Sequence, residues 1–399
     1  MDFRSANSLN SRVNLLSGNL LPIAGGDSTF SLIWHVYSII VWIIELVHTI
    51  ALIFGLVLAP PEKALKDGTV CVVVTLEVSF MLTRLYTSRK ILERVVVKMN
   101  DILSDADETM KYIVKSTLSP ITKTFTLYGL IAGSTIIIWT IQPVTFAFDK
   151  DAFFYVDYNL PCAFSTEPFS RGMLVVSSVF MTIGSLLLFL KKYSVDVYMM
   201  HLVLMLTAQY RYTAERLMLL FRDLHEDSRV DDWRDKTLRR GTDRRMEREL
   251  RTLCRHHNMV LRISFMLRKL LSVNFSLLYM NSVFRFCCIG ILMSTIPSLT
   301  LTEGMSIILF SLGSVMQFFL LCSSVQTLSD ASTEITDKAF DESWYQCGPS
   351  MKVTFLLLIM ANNLDCKIAA IEKFNLSLPS FMTIMNQSYS IALLFLRAN

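Results

Sequence analysis

The sequence predicts an all-α membrane protein with seven transmembrane helices, and three observations predict it. Hydrophobic residues fill 52% of the 399 positions and charged residues only 18%, with a mean hydropathy of +0.45. A soluble chain is usually about a quarter charged. Apolar runs recur along the chain, each close to the roughly 20 residues that cross a hydrocarbon core of about 30 Å as a helix. Finally, 16 of the 38 Lys and Arg residues fall between Arg211 and Lys269, flanked by apolar runs. Basic residues near span ends stay on the cytoplasmic side. With that stretch inside, the amino terminus is cytoplasmic and the carboxyl terminus extracellular. Soluble enzymes are disfavoured, and the net charge of +4 sits beside spans and implies no nucleic-acid partner.

Residues 1–30 are polar and mixed, lack the short apolar core of a cleavable signal peptide, and read as a cytoplasmic segment. The block 31–190 holds helices one to four. The first is 31–58, stopped by Pro60-Pro61 because proline cannot continue a helix. The second is 69–90, an amphipathic stretch fills 91–118, and the third is 121–148. Four acids (Asp149, Asp151, Asp157, Glu167) against Lys150 place the loop 149–170 outside. The fourth span runs from Arg171 to Leu190, with Lys191-Lys192 at its inner interface.

Residues 191–271 read as cytosolic extensions of helices four and five. An amphipathic helix to Leu224 is followed by a charged, solvated loop at 225–245, then a basic helix over 246–269. The block 272–328 supplies helices five and six, and Pro297 ends the fifth. Residues 329–375 form a further cytosolic segment, and 376–399 hold the last span and its extracellular end. Within 329–375, the apolar run 353–361 is too short to cross a bilayer. It must be buried in protein, and the extensions of spans four, five and six are the available partners. Together these segments predict a compact cytosolic helical domain.

No Cys/His metal spacing appears, and no cofactor is implied. Cys71 and Cys162 lie near the outer face, where spacing does not decide whether they pair; Cys347 and Cys366 face the reducing cytosol. The sequons at Asn274, Asn375 and Asn386 fall in spans or at the inner side, so none should carry sugar.

The inverted topology opposes a seven-helix G-protein-coupled receptor. The third span also lacks an acidic-Arg-aromatic triplet at its inner end, and the seventh has no Asn-Pro-x-x-Tyr. The carboxyl-terminal part carries a more specific pattern: Asp337 to Trp344-Tyr345, then Met351-Lys352 to Met360, then Ile371, Phe374-Asn375-Leu376-Ser377-Leu378 and Phe381 to Tyr389-Ser390. This combination resembles the signature of insect odorant receptors. A gustatory receptor of the same superfamily is the alternative; there a Thr-Tyr pair is usual, where this chain has Ser388-Tyr389.

The resemblance implies a ligand-gated, non-selective cation channel, tetrameric around a central pore, in the plasma membrane of sensory-neuron dendrites. A tuning subunit of this kind joins a shared co-receptor subunit. This chain looks like a tuning subunit because it lacks the long inserted cytosolic loop of the co-receptor. The run 353–361 would be the first half of a split seventh helix in a cytosolic anchor domain, and the last span would line the pore.

Two groups of candidate residues follow. In the last span Ser380, Thr383, Gln387 and Ser390 recur at spacings of three and four, so they share a helical face that continues to Leu394 and Ala398. A polar stripe should face water or protein. With the helix at the pore axis, these residues become the wall and Leu394 an apolar gate that closes by dewetting. The bland alternative is that they join helices; a rival alignment of Tyr389 would instead put Ala392 and Leu396 at the gate. The resemblance also places a small volatile ligand in the outer halves of spans two, three, four and six. By region the candidates are Leu76, Ser79, Phe80, Thr135, Trp139, Met181, Ser185, Phe310 and Ser311. Each fits ordinary helix packing as well.

Ionisable residues inside spans need partners. Glu45 and His48 are three apart and read as satisfying each other; Glu77 and Arg84 are too far apart for contact along their helix. Arg285 has no evident partner and reads as structural rather than as a tuner of ion flow. No enzyme motif is present.

Overall fold

The computed structural model describes residues 1–24, 30–61, 64, 68–145, 152–157, 167–230, 236–294, 301–341, 344–363 and 377–398. The chain is all-helical, and no β-strand occurs among these residues beyond one isolated bridge between Phe153 and Phe169.

The amino terminus folds into two short helices, α1 (Phe3–Ala6) and α2 (Ser8–Leu16). It is not a loose polar segment. Phe3 is fully buried, its N–H donates to Asn100 Oδ1 at 2.8 Å, and Asn14 donates from its side chain to the Leu21 carbonyl at 2.8 Å. Asn19 and Tyr198 tie the following turn to the middle of the chain, at 3.1 Å to the Lys191 carbonyl and 2.7 Å to the Pro22 carbonyl. Scattered asparagines that look solvated in sequence here satisfy buried backbone groups.

Helix α3 (Leu32–Leu58) is strongly apolar, with Glu45 and His48 buried within it, and ends where Ala59 donates to the Gly55 carbonyl, one residue before Pro60. Much of its surface is exposed apolar side chain (Leu32, Ile33, Leu46, Val57), as expected for a lipid-facing span. Helix α4 (Thr69–Thr87) meets α5 (Arg89–Ser104) at a 69° bend around Ser88. Leu92, Val95, Val96, Met99, Ile102 and Leu103 line one buried face of α5, the spacing of a one-sided amphipathic helix.

Helix α6 (Glu108–Thr145) is longer than the span 121–148 because it absorbs the end of the amphipathic stretch and passes through Pro120. An internal proline costs about 3 kcal/mol in an exposed helix. Here Leu118, Phe125 and Tyr128, all buried, hold the segment on its neighbours. Helix α7 (Arg171–Val230) is a single 60-residue rod. Its middle, 191–210, is buried on every side and not only on one face; the amino terminus, α6, α8 and α9 surround it.

Helix α8 (Lys236–Ser294) follows. The segment 225–245 is therefore largely helical, with only 231–235 outside the described residues. It contains no proline, and at its end and just beyond it the i,i+4 pairs Arg245–Glu249 (3.0 Å) and Arg251–Glu247 (2.8 Å) support α8. Helices α9 (Leu301–Asp341), α10 (Pro349–Asn363) and α11 (Leu378–Ala398) complete the fold. The short run 353–361 lies in α10 and is packed against α8 and α9. By length and composition four helices, or five if the bent α4–α5 pair is one span, are apolar enough to cross a membrane among the described residues.

The lobe built from the far ends of α7 and α8 has a pH signature. His257 is 1% exposed, its ring lies edge-on to Tyr210, and neither ring nitrogen has a partner among the described residues. Burial pushes its pKa down to about 4, and that of the adjacent His256 to about 4 as well. An unfolded histidine titrates near 6.5, at about 1.4 kcal/mol per pH unit of difference. The unfolded chain thus binds more protons between pH 6.5 and 4. The stability is fully present above pH 6.5 and is lost as the pH falls towards 4. The melting temperature of the detergent-solubilised protein is expected to drop between pH 7.5 and 5.5, and His257→Phe to remove part of that drop. An unaltered drop in the variant would exclude His257 as a source.

Candidate ligand-binding cavity

A cavity of about 140 Å³ lies between α4, α6, α7, α8 and α9. Its wall on α6 is Tyr128, Ala132, Thr135, Ile136 and Trp139; α9 faces it with Leu309, Phe310, Gly313 and Gln317. Residues at spacings of three and four project from one face of a helix, so each helix presents a stripe. Trp139 and Phe310 meet edge to face across the cavity, 6.3 Å between centroids at 85°. The Thr135 hydroxyl donates to the Ile131 carbonyl at 2.8 Å, so its proton is already committed within the helix. Phe189 and Tyr193 on α7 stack at 5.7 Å, and Tyr193 donates to the Phe125 carbonyl at 2.9 Å. Gly129 makes this approach of α6 and α7 feasible: a Cβ there would lie 2.9 Å from the Tyr193 ring. The result is an apolar, aromatic-lined space with few polar groups, the usual character of a small-molecule site.

The polar end of the cavity joins a buried charge network. Lys192 and Arg285 both line the cavity, as does Gln317. Lys192 is paired with Glu77, which also accepts from Asn281, and lies 3.7 Å from Asp196. Gln317 bridges two charges: Arg285 donates to its Oε1 at 2.7 Å and its Nε2 donates to Asp196 at 2.6 Å. A neighbouring pair, Lys191 with Glu45 at 2.9 Å, is fully enclosed, and the Lys191 ammonium also sits 3.2 Å from the Trp42 ring centroid. Three acids (Glu45, Glu77, Asp196) thus face three bases (Lys191, Lys192, Arg285). Buried charges persist only when paired and hydrogen-bonded in this way.

This geometry corrects several sequence expectations. Glu45 and His48 do not satisfy each other. Glu45 pairs with Lys191, and His48 Nε2 lies 3.3 Å from Ser185 Oγ. The His48 ring lies so close to α7 that a Cβ at Gly184 would fall 2.3 Å from it. Lys191 and Lys192 do not reach towards an interface; they turn inward and are 0% and 5% exposed. Arg285 has Gln317 as its partner, a pairing invisible in sequence because 32 residues separate them. Intramembrane acids at Glu45 and Glu77 and an adjacent lysine pair were the legible signal: opposite charges in apolar helices must find each other.

The structure brings Thr135, Trp139, Ser185 and Phe310 together on the cavity wall. The other pocket candidates lie elsewhere. Leu76 and Phe80 are 65% and 42% exposed, and Ser79 is exposed beside them. Met181 belongs to a separate cluster with Ala51, Leu52, Phe153 and Phe169. Ser311 is buried with its hydroxyl on the Ile307 carbonyl at 2.7 Å. Cys71 is a free thiol on the cavity wall, and Cys162 lies outside the described residues. Among residues missed in sequence, Tyr128, Lys192 and Gln317 carry no local motif; only the fold assembles them.

On α11, one face packs and the other is open. Ile384 and Ser388 are buried and Phe381 packs on Phe318 and Phe319. Thr383, Gln387 and Ser390 are exposed in the single chain. Leu394 and Ala398, and the rival pair Ala392 and Leu396, follow further along the same helix. The side chains of Ala392 and of 394–398 lie outside the described set.

Long apolar helices around a cavity of this character fit a multi-pass membrane protein. The family model described as 7tm odorant receptor matches residues 68–389, and the chain belongs to the odorant receptor family. Among curated relatives, odorant receptor 22c of Drosophila melanogaster is 23% identical over 185 residues, 45% of this chain and 43% of that protein. Odorant receptor 67c of the same species is 25% identical over 137 residues, 34% of this chain and 33% of that protein. The matched stretches therefore span less than half of either relative. The fold is that of the insect olfactory receptor OR5 from Machilis hrabei, with a TM-score of 0.79 at 13% identity, covering 99% of this chain and 98% of that one. The structure of that receptor in complex with eugenol gives a TM-score of 0.78 at 13% identity over the full length of both chains.

Proposed function

We propose that this chain is the tuning subunit of an odorant-gated, non-selective cation channel, and that the cavity between α4, α6, α7, α8 and α9 is its odorant site. The observation that carries the reading is the cavity itself: aromatic, nearly free of unused polar groups, and next to a charge network that links four helices. The eugenol complex of the Machilis receptor supports a small volatile as ligand. A ligand opens the channel by binding the open arrangement better than the closed one. The amino terminus is cytoplasmic and the carboxyl terminus extracellular. The lobe of 191–271 and 329–375 is the cytosolic anchor, and the subunit sits in the plasma membrane in a tetramer with a co-receptor.

The exposed polar stripe of α11 supports a pore wall of Thr383, Gln387 and Ser390, with Leu394 as the gate and Ala398 beyond it. The test is electrical recording in cells with and without a co-receptor. Odorant-evoked cation current that persists under G-protein block is expected; a current that needs a G protein would refute the channel reading. Leu394→Ala should raise basal current several-fold, because a wetted constriction conducts. A closed state indistinguishable from wild type would remove Leu394 as the gate.

A further inference from the structure

We propose that this odorant site selects small, neutral molecules carrying a carbonyl oxygen, which Arg285 recognises as a hydrogen-bond acceptor. The inference rests on the cavity being the odorant site and goes further by naming the ligand class. Arg285 is 5% exposed and lines the cavity. One of its terminal nitrogens is committed to Gln317, while its Nε–H has no acceptor among the described residues. A guanidinium carries five donors and no acceptor, so a buried one with an unused N–H next to an apolar space lacks an oxygen. Lys192, the other cation at the cavity, is already held by Glu77 and Asp196.

Charge decides between a neutral carbonyl and a carboxylate. Glu45, Glu77 and Asp196 already balance Lys191, Lys192 and Arg285. A ligand carboxylate would add an uncompensated buried charge, which is costly in such surroundings. A ketone, aldehyde or ester oxygen adds none. The rest of the ligand meets Ile136, Trp139, Leu188 and Phe310. A cavity of about 150 Å³ with such a lining holds a benzene-sized ring, so the remainder is one ring or a short chain.

The experiment uses matched pairs in which a terminal alkene replaces the carbonyl on the same skeleton: benzaldehyde and styrene, acetophenone and 2-phenylpropene, 2-heptanone and 2-methyl-1-heptene, with benzoate as the anionic arm. Currents are recorded from the full chain with its co-receptor, and an agonist of the co-receptor reports assembly independently. A hydrogen bond to a charged group predicts that carbonyl compounds act at concentrations at least about tenfold lower than their alkenes, and that benzoate is inactive. Arg285→Lys keeps the charge but lacks the Nε–H, and Arg285→Met with Asp196→Asn keeps the network neutral. In both, the carbonyl advantage should shrink towards unity while the co-receptor agonist still evokes current. Alkenes equal to carbonyls in the wild type, benzoate as the best agonist, or gating by other volatiles with no response to any pair would overturn the proposal. If no volatile of any class evokes current while the co-receptor agonist does, it is the odorant-site reading itself that fails.

Discussion

Glu77→Ala is expected to leave almost no correctly folded protein at the cell surface. Glu77 is 2% exposed and accepts from both Lys192 and Asn281. Without it, the Lys192 ammonium keeps only Asp196 at 3.7 Å, and Asn281 loses its acceptor. Removing one partner of a buried ion pair costs about 3–5 kcal/mol, against a total stability on the order of 5–15 kcal/mol for a folded domain. The loss arises from the stranded cation, not from the missing contact. Replacing both partners, Glu77→Gln with Lys192→Met, should therefore recover much of what the single change loses. Surface labelling in intact cells and size-exclusion profiles in detergent measure both. Wild-type yield of Glu77→Ala would show that the network is not structural, and a double variant no better than the single would show that the stranded charge is not the cause.

The same network marks the boundary of what the sequence could say. Helix positions were legible because apolar runs and their terminators act locally: Pro60-Pro61 ends α3 one residue past its last turn. The run 353–361, too short to cross a bilayer, buries one face against its neighbours through Phe355, Leu358 and Ile359. Val353, Leu356, Leu357 and Met360 stay exposed in the single chain, so the expectation of full burial does not hold. Partnerships were not legible, because they depend on which helix faces which. Glu45 and His48 are three residues apart, yet each turns to α7, since Lys191 and Ser185 there offer better-placed partners than a neighbour on the same turn. The charge-dense segment 225–245 misled in the opposite way: density of charge looks like a solvated loop, but its described residues are helical, in the end of α7 and the start of α8. Of the pocket candidates, those on α6, Thr135 and Trp139, lie on the cavity, whereas Leu76 and Phe80 on α4 face outward. Hydropathy cannot set the rotation of a helix that is apolar on all sides.

Phe355→Ala is expected to disrupt the lobe at the far end of α7, α8 and α9. The Phe355 ring is 1% exposed and stacks on Trp344 at 5.2 Å and 19°. It meets Phe221 of α7 edge-on at 5.4 Å and Phe340 of α9 at 6.4 Å. Truncating so enclosed a phenylalanine costs about 3–5 kcal/mol, because the cavity left behind collapses only in part. The melting temperature in detergent should fall by several degrees, and surface expression with it. The opposite face of α10 provides the control. Met351, Phe355, Leu358 and Ile359 are buried, whereas Val353, Leu357 and Met360 are 58%, 59% and 66% exposed. A helix that is apolar on both faces has a second surface left to cover, and in the proposed tetramer a neighbouring subunit covers it. Leu357→Ala should therefore leave the melting temperature of the isolated subunit nearly unchanged, yet reduce its co-purification with the co-receptor. Equal melting losses in the two variants would mean that both faces belong to the fold of one chain, and the assembly role of α10 would have to be given up.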